Sequence, residues 1–518
     1  MAADNMLKNP TRAAKRLMRV LKSDLETHLL TIDMYLRGHH PEPYMPDNAD
    51  AEYRLLAKRC VTNHMPLLVK ATSQVLHIDG YRRGSETRSA DPAKKPVASP
   101  KVRAGGKSVA DQRDLPEWKH WEESRLQARQ SAVHDAALAY GHSFTVTTMK
   151  DGKINTRGLS PLRTTALFED PANDDNAVAA LHVERWPRGS GNDREPGRAI
   201  LWDRTFEYEY TFWDDKRWRL VGYVNHGMSG ENPVTRFAAD VDLEGRTTGL
   251  IEPYFEIQDR LNQTVFDLLI AQSGSSFQTR WATGMAPPMK MTYPEDENGD
   301  PDYDADPIPV LDDNGVPIPL PFNIHAKKML FAEDSDVEFG SLPPTPLAPY
   351  LESIAQAIKD LSSVTQTPPH YMLGQIANLS ADAMRAAESA LIRKANAFKQ
   401  VFGESWERVF RLALRLVGDP KADDMTGSVI WRDLEAQSIN QAADAYGKMA
   451  ESLGIPKRGL WPLLPGVTQN QLAEWETLLE EQGELASTGQ VNDAFNNDDD
   501  TQEDDDESNE EEGSGESS

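Results

Sequence analysis

The sequence predicts an α+β fold, and three observations carry that prediction. Residues 143–149, 177–186, 198–203, 206–213 and 217–224 are rich in Val, Thr, Tyr, Phe and Trp and alternate with period two, as antiparallel strands do. Helical periodicity brackets this block on both sides. One helical pattern, 380–417, keeps Met384, Leu391, Ala395, Phe398, Phe402, Trp406, Val409, Ala413 and Leu416 on one face, which predicts a helix ~55 Å long, beyond the usual globular range. A helix of that length suits a scaffold spanning a large assembly.

The bulk numbers agree with a folded, multidomain chain. It has 518 residues, 39% of them hydrophobic, with 11 Trp and 15 Phe, enough for two to four domains and a sizeable core. Cys60 is the only cysteine, which excludes an intrachain disulfide and a multi-cysteine metal site and fits a reducing compartment. No uninterrupted apolar stretch follows the basic opening residues, which argues against a signal peptide, and no run reaches the eighteen apolar residues of a membrane span. The net charge is −27. Residues 493–516 hold thirteen acidic and no basic side chains, and −27 + 13 leaves the remainder at −14. A protein that grips DNA has a basic footprint, so contact of this body with DNA is expected to be loose or repulsive.

Along the chain, 11–36 reads as an amphipathic helix with Leu17, Val20, Leu21, Leu25, Leu29, Ile32 and Leu36 at steps of three and four. Arg12, Lys15, Arg16, Arg19 and Lys22 crowd its first turns; a solvated face is the simpler reading, a docking helix for an acidic partner the sharper one. Gly38 and Pro41 end it, and 50–76 is helical again. Residues 84–115 lose periodicity and gain Ser, Pro, Gly and Lys, as a flexible basic loop does. Residues 118–140 form a helix ending at Gly141, and Asp151-Gly152 and Asp214-Asp215 read as turns between strands. Helix returns at 253–272, with Pro253 in its first turn. Residues 275–345 are Pro- and Asp-rich, with short strands around 327–339 and a hairpin signal at Asn314-Gly315. Residues 347–364 are helical; 365–379 is a loop holding Pro368, Pro369 and Gly374; Ser380 caps the long helix and Asp382 suits its positive end. A strand near 428–434 and helices at 438–452 and 468–482 follow, and from 485 the composition is that of a disordered acidic tail.

Motifs for chemistry fail on inspection. Gly105-Gly106-Lys107-Ser108 lacks the first glycine of a P-loop, since Lys101 occupies that position. Asp300, Asp302, Asp304 and Asp306 begin like a calcium loop, but Ala305 and Leu311 stand where Gly and Glu are required, so an acidic surface loop is preferred. The aromatics Trp186, Trp202, Phe206, Tyr208, Tyr210, Phe212, Trp213 and Trp218 have too few interleaved cations for base stacking and read as strand packing. His134, His142, His226 and His370 are scattered. No catalytic, cofactor or metal residues are assigned, and an enzyme is not expected.

Several stretches stand in a specific joint order. They are Asn63-His64-Met65-Pro66-Leu67-Leu68-Val69 before Val75-Leu76-His77-Ile78-Asp79-Gly80-Tyr81-Arg82, Asn232-Pro233-Val234-Thr235-Arg236-Phe237 before Leu243-Glu244-Gly245-Arg246, and Ile251-Glu252-Pro253 with Gln258-Asp259-Arg260-Leu261-Asn262. Most specific is Thr367-Pro368-Pro369-His370-Tyr371-Met372-Leu373-Gly374, with Asn378-Leu379-Ser380-Ala381-Asp382-Ala383 and Phe402-Gly403-Glu404-Ser405-Trp406. In this order they resemble the portal proteins of long-tailed bacteriophages, of the type with Gram-positive hosts, and the resemblance runs from about Tyr35 to Glu481 and leaves out the 84–115 loop and the acidic tail.

It implies a homo-oligomeric ring, typically of twelve subunits, around an axial channel at one capsid vertex of the virion, assembled in the host cytoplasm. Double-stranded DNA would pass in packaging and ejection without tight binding. The terminase motor, the head–tail adaptor, and the major capsid and scaffold proteins would be partners, with no membrane and no cofactor. Residues 1–83 would form an N-terminal helical segment and 84–115 a basic linker. The wing would be 116–250 with the long helix and strand of 380–440. Stem helices would occupy 251–274 and 346–364, with the clip at 275–345 between them. A tunnel loop at 365–379 would line the channel through Thr365, Gln366, Thr367, His370, Tyr371, Gln375 and Asn378, a helical crown would span 441–484, and the tail 485–518. Residues 365–379 carry no Lys or Arg, and each avoided phosphate contact lowers the grip on DNA. Pro368-Pro369 stiffens that loop and Gly374 gives it a pivot. Another head–tail connector or capsid-associated protein is the competing reading; two stem helices around an inserted clip argue against it.

Overall fold

The computed structural model describes residues 9–46, 51–83, 115–189, 194–228, 230–276, 280–283, 289–295, 300–301, 303–312, 315–318, 338–341, 343–374, 381–432, 439–461, 464, 467, 471, 474–475 and 477–479. The expectations for the basic linker, for Gln375, Asn378 and Ser380, for most of the helix at 468–482 and for the tail lie outside the described residues. The chain divides into two compact units, Met1–His40 with Asn63–Gln258 and Asp360–Ser518, and Pro41–Thr62 with Asp259–Lys359.

Helix α1 (Pro10–Asp24) starts where the Asn9 side chain accepts from the Arg12 amide at 3.1 Å, with Pro10 in the first turn. It runs through a π-helical turn (Leu25–Leu29) into α2 (Leu30–Leu36), so the predicted helix is continuous but widened by one turn. The single helix expected at 50–76 is corrected to α3 (Ala51–Arg59) and α4 (Met65–Ser73). Pro66 has no N–H to give and fits only a first turn, so a new helix begins there. After β1 (Ile78–Arg82), the helix expected at 118–140 is likewise two, α5 (Pro116–Glu123) and α6 (Leu126–Tyr140). Arg125 between them is left-handed, φ 54°, and the Ser124 hydroxyl accepts the Thr156 amide at 3.1 Å.

The predicted strands appear as β2 (His142–Lys150), β5 (Ala179–Arg185), β6 (Gly197–Asp203), β7 (Phe206–Phe212) and β8 (Trp218–Asn225). Three further strands, β3 (Lys153–Leu159), β4 (Thr164–Leu167) and β9 (Val234–Ala238), complete the region. Asp151 and Gly152 both take positive φ, the twist a two-residue hairpin needs between β2 and β3. The sheets are all antiparallel, in the orders β4-β5-β6-β7-β8 and β3-β2-β9. Alternation explains the apolar runs. Ala179, Leu181, Val183, Ala199, Leu201, Tyr210 and Phe212 meet Ala13, Ala14, Leu17, Met18 and Leu21 of α1, whereas Ala180, Ile200 and Trp202 meet Phe144, Val146, Leu159 and Val234. Strands β5 and β6 of the larger sheet are thus buried on both faces.

Helix α7 (Phe255–Ser276) follows a 3₁₀ turn at Glu252–Tyr254. In the second unit, Val265, Phe266, Leu269 and Ile270 pack with Met45, Leu56, Ala57, Cys60 and Val61. Its small sheets pair β10 (Arg280–Thr283) with β13 (Glu338–Ser341), and β11 (Met291–Thr292) with β12 (Ile308–Pro309). The hairpin signal is realised by Asp312 N–H to Val316 O at 2.8 Å around Gly315, φ 79°. Of the strands expected at 327–339, the part before 338 lies outside the described residues.

Helices α8 (Ala348–Thr365), α9 (Pro369–Leu373) and α10 (Ala381–Val417) follow, the last 37 residues long. After them β14 (Ser428–Trp431) pairs with β1, and α11 (Ile439–Ser452) and α12 (Lys457–Leu460) complete the described elements. The main core gathers around α10. Phe402, Trp406, Val409 and Phe410 are buried among Trp121, Val133, Phe237 and Tyr81. Trp121 and Phe237 both meet the Trp406 indole edge-on, with centroids at 5.0 Å and 4.7 Å.

Candidate functional site

The candidate site is the connection from α8 to α10, described over 365–374. The 365–379 loop expected from sequence is corrected on two points: Thr365 is the last residue of α8, and Pro369–Leu373 form a helix of their own. The reason is local. Pro369 takes a first-turn position that needs no N–H, and Gly374 closes the turn with φ 64° and its amide on His370 O at 3.1 Å.

The end of α8 is a Schellman cap. The Thr367 amide reaches Ser362 O at 3.1 Å and the Gln366 amide Ser363 O at 3.3 Å, with Gln366 left-handed, φ 54°. Glycine usually fills that position, because a Cβ there costs about 1–2 kcal/mol. The Ser362 hydroxyl donates to Thr367 O at 2.5 Å, and Thr365 Oγ1 donates to Leu361 O at 2.7 Å.

Two side chains from other elements satisfy the remaining carbonyls of the α8 terminus. Lys394 Nζ, from α10, donates to Thr365 O at 2.8 Å, and Tyr254 Oη donates to Val364 O at 3.1 Å. Burial pushes the Lys394 amine down to about 8. This cation is therefore turned into the subunit. Sequence reasoning missed it, because a lysine on an amphipathic helix ordinarily marks the solvent face.

The sequence-predicted residues separate into two groups. Thr365 and Thr367 are each 2% exposed and anchor the loop inward. Gln366 and Tyr371 are exposed and His370 is half-buried. Tyr371 Oη donates to Glu388 Oε1 of α10 at 3.3 Å, and burial followed by the Glu388 carboxylate raises its hydroxyl above the usual range. The His370 ring meets Tyr371 edge-on at 4.6 Å. Met372 packs onto the core around α10. The connection is thus held to α10 at Thr365 and Tyr371 and to the core at Met372, while Gln366 is exposed. Its described residues contribute hydrogen-bonding and aromatic groups and no charged ones.

The family of SPP1 Gp6-like phage portal proteins matches residues 22–487. The portal protein of Mycobacterium phage D29 is 33% identical over 131 residues, 25% of this chain and only 27% of that protein's length. The portal protein of Mycobacterium phage L5 is 24% identical over 366 residues, 66% of this chain and 67% of that one. Among solved structures, a chain from the virion of a native gene transfer agent particle aligns with a TM-score of 0.37 and 10% identity over 82% of this chain and 95% of its own. With the family match spanning 22–487, the chain belongs to the SPP1 Gp6-like phage portal family.

Proposed function

We propose that this chain is the subunit of a portal ring, the channel at one capsid vertex through which double-stranded DNA is packaged and ejected. The observation that carries the reading is the family match over 22–487. In this reading the ring holds about twelve copies, following the resemblance, and closes through head-to-tail contacts. The α+β region of β2–β9 with α10 serves as wing, α7 and α8 as stem, the Pro- and Asp-rich stretch between them as clip, and α11–α12 as part of the crown. The clip meets the terminase motor and then the head–tail adaptor, and the major capsid and scaffold proteins surround the ring. The protein acts as a conduit and not as an enzyme.

The connection at 365–379 serves as the tunnel loop. DNA must slide through a portal, and each phosphate neutralised by Lys or Arg adds salt-dependent affinity. Residues 365–379 contain no Lys or Arg, and the amine of Lys394 is spent on the Thr365 carbonyl. Gln366, His370 and Tyr371, and in sequence Gln375 and Asn378, are the side chains assigned to meet the duplex. Thr365 and Thr367 hold the loop in place. Negative-stain microscopy of the purified chain tests the reading: rings with a central hole support it, and a folded monomer at all micromolar concentrations overturns it.

A further inference from the structure

We propose that the guanidinium cluster near the end of α10 is a binding site for one monatomic anion of the chloride class. The inference goes beyond the portal-ring reading and does not depend on it.

Arg408, Arg411 and Arg415 follow one another at steps of three and four along α10, which places them on one face of the helix. Together with Leu412 and Glu231 they line a cavity of about 30 Å³. Glu231 comes from the segment between β8 and β9 and divides its carboxylate between two of them. Its Oε2 accepts from Arg408 Nη2 at 2.7 Å, and its Oε1 lies 3.2 Å from Arg415 Nη1. Arg408 Nη2 also donates to Asn176 Oδ1 at 3.3 Å. Asp423, from a 3₁₀ turn at Pro420–Asp423, pairs with Arg415 Nη2.

These contacts leave donors and charge over. Arg408 is 9% exposed, yet its Nε–H is buried with no partner among the described residues. Arg411 makes no hydrogen bond or ion pair among the described residues. Glu407 and Asp175 act on it only from beyond ion-pair distance, and Asp175 acts on Arg236 as well. Burial, and then the charge of Arg408, push the Arg411 guanidinium down from its ordinary value. Three guanidinium groups thus touch two carboxylates. An arginine does not give up its proton in a protein, so the cluster cannot shed the surplus charge. A partly buried charge without a partner is costly, and an anion that accepts from the spare N–H groups removes that cost.

The space selects the anion. One water needs roughly 10–15 Å³ of such a cavity, so this one admits a body of one or two waters. Chloride or bromide fits, whereas phosphate, sulfate and a carboxylate with its attached chain are too large. Water fits too, but it brings no charge and leaves Arg411 unmatched. Leu412 offers no competing side-chain acceptor. An ion held here ties α10 to the segment that leads into β9, beside the tie that Glu231 already makes.

The test follows melting of the full chain while chloride replaces gluconate at constant ionic strength, which holds screening fixed. The melting temperature is expected to rise along a saturation curve, as it does when a ligand binds the folded state alone. Bromide should reproduce the rise and sulfate should not. Arg411→Gln should raise the chloride concentration for half the effect at least about tenfold. Arg19→Gln, at an exposed arginine of α1, should leave it unchanged. A flat or linear chloride response, or a saturable one that persists in Arg411→Gln, overturns the proposal and leaves the portal-ring reading untouched. Should Arg411→Gln fail to fold, crystals of the unaltered chain soaked in bromide decide the matter. An anomalous peak between Arg408 and Arg411 supports the site, and its absence overturns it.

Discussion

The indole N–H of Trp406 donates to Nε2 of His134 across a buried distance of 2.9 Å. On the other side of the ring, Nδ1–H of His134 donates to Leu76 O at 3.1 Å, and Phe402 stacks on its face at 5.2 Å. The imidazole is therefore neutral, in a single tautomer, and joins α10 to α6 and to the segment before β1. Desolvation, partly offset by the Leu76 carbonyl, holds it at about 3. Removing the donor with Trp406→Phe leaves Nε2 buried without a partner and removes ring volume. The expected loss is about 1–3 kcal/mol of unfolding free energy, read from denaturant melts at pH 8. A change below the measurement error would mean the bond contributes nothing net.

Acid should unfold the protein through the same kind of residue. His120 and His182 are buried like His134 and held down at about 4, chiefly by desolvation. A histidine titrates near 6.5 in the unfolded chain. Stability is therefore whole above that value and falls as pH drops, because the unfolded state takes up protons that the folded state refuses until about 3–4. Each of the three removes roughly 2 kcal/mol by pH 5. Melting temperatures recorded from pH 8 to pH 4.5 should fall steeply below 6.5, and His134→Gln should flatten that fall. An unchanged slope in the variant would show that His134 is not part of the acid response.

What could be read ahead of the structure follows from periodicity. The runs 177–186 and 198–203 are legible as strands, but their burial on both sides, with α1 on one face and β2, β3 and β9 on the other, is seen only in the structure. The stripe of α10 was legible from Leu391 to Ala413, but Phe410, Leu412 and Leu414 are buried as well, because that helix has core on more than one side. β3 is not legible because Lys153, Asn155, Thr156 and Arg157 give it a polar sequence, nor is β4, because four residues set no period. In the candidate site, Thr367-Pro368-Pro369 marks the break in helix between α8 and α9. The inward use of Thr365 and Lys394 depends on a tertiary bond between α8 and α10, which no local pattern encodes.

Gln366 occupies a left-handed position that glycine fills without strain. Gln366→Gly should raise stability by about 0.5–1 kcal/mol, the steric relief exceeding the added freedom of the unfolded chain. Chemical denaturation settles it. A loss of stability would mean that the Gln366 side chain contributes contacts worth more than the backbone strain.

Lys394 gives a signature at alkaline pH. Its amine is held at about 8 by burial, below the usual lysine range, so between about 8 and 10.5 the unfolded state carries more protons than the folded one. Stability from this group rises with pH across that window. Relative to Lys394→Met, the unaltered chain should gain stability from pH 8 to pH 10, the difference between the two cancelling the tyrosines that titrate in the same range. A difference that stays flat with pH would mean that the amine is solvated and the bond to Thr365 O is not kept in solution.

The tunnel-loop assignment is tested by adding what the loop lacks. Gln366→Lys, alone and combined with Gln375→Lys, puts one or two cations per subunit on a connection whose own residues carry none. Gln366 is exposed and makes no side-chain hydrogen bond among the described contacts, so its replacement by Lys should leave folding and ring formation intact. If the loop faces DNA, the new ammonium groups attract phosphates and release counterions, and translocation meets a salt-dependent drag. Packaging rates should then fall most at low ionic strength and partly recover as salt rises, with the double variant slower than the single. Gln366→Glu, of opposite charge, should package near the unaltered rate, which separates attraction from mere bulk. Equal rates for the lysine and glutamate variants at every salt concentration would place the loop away from the channel wall.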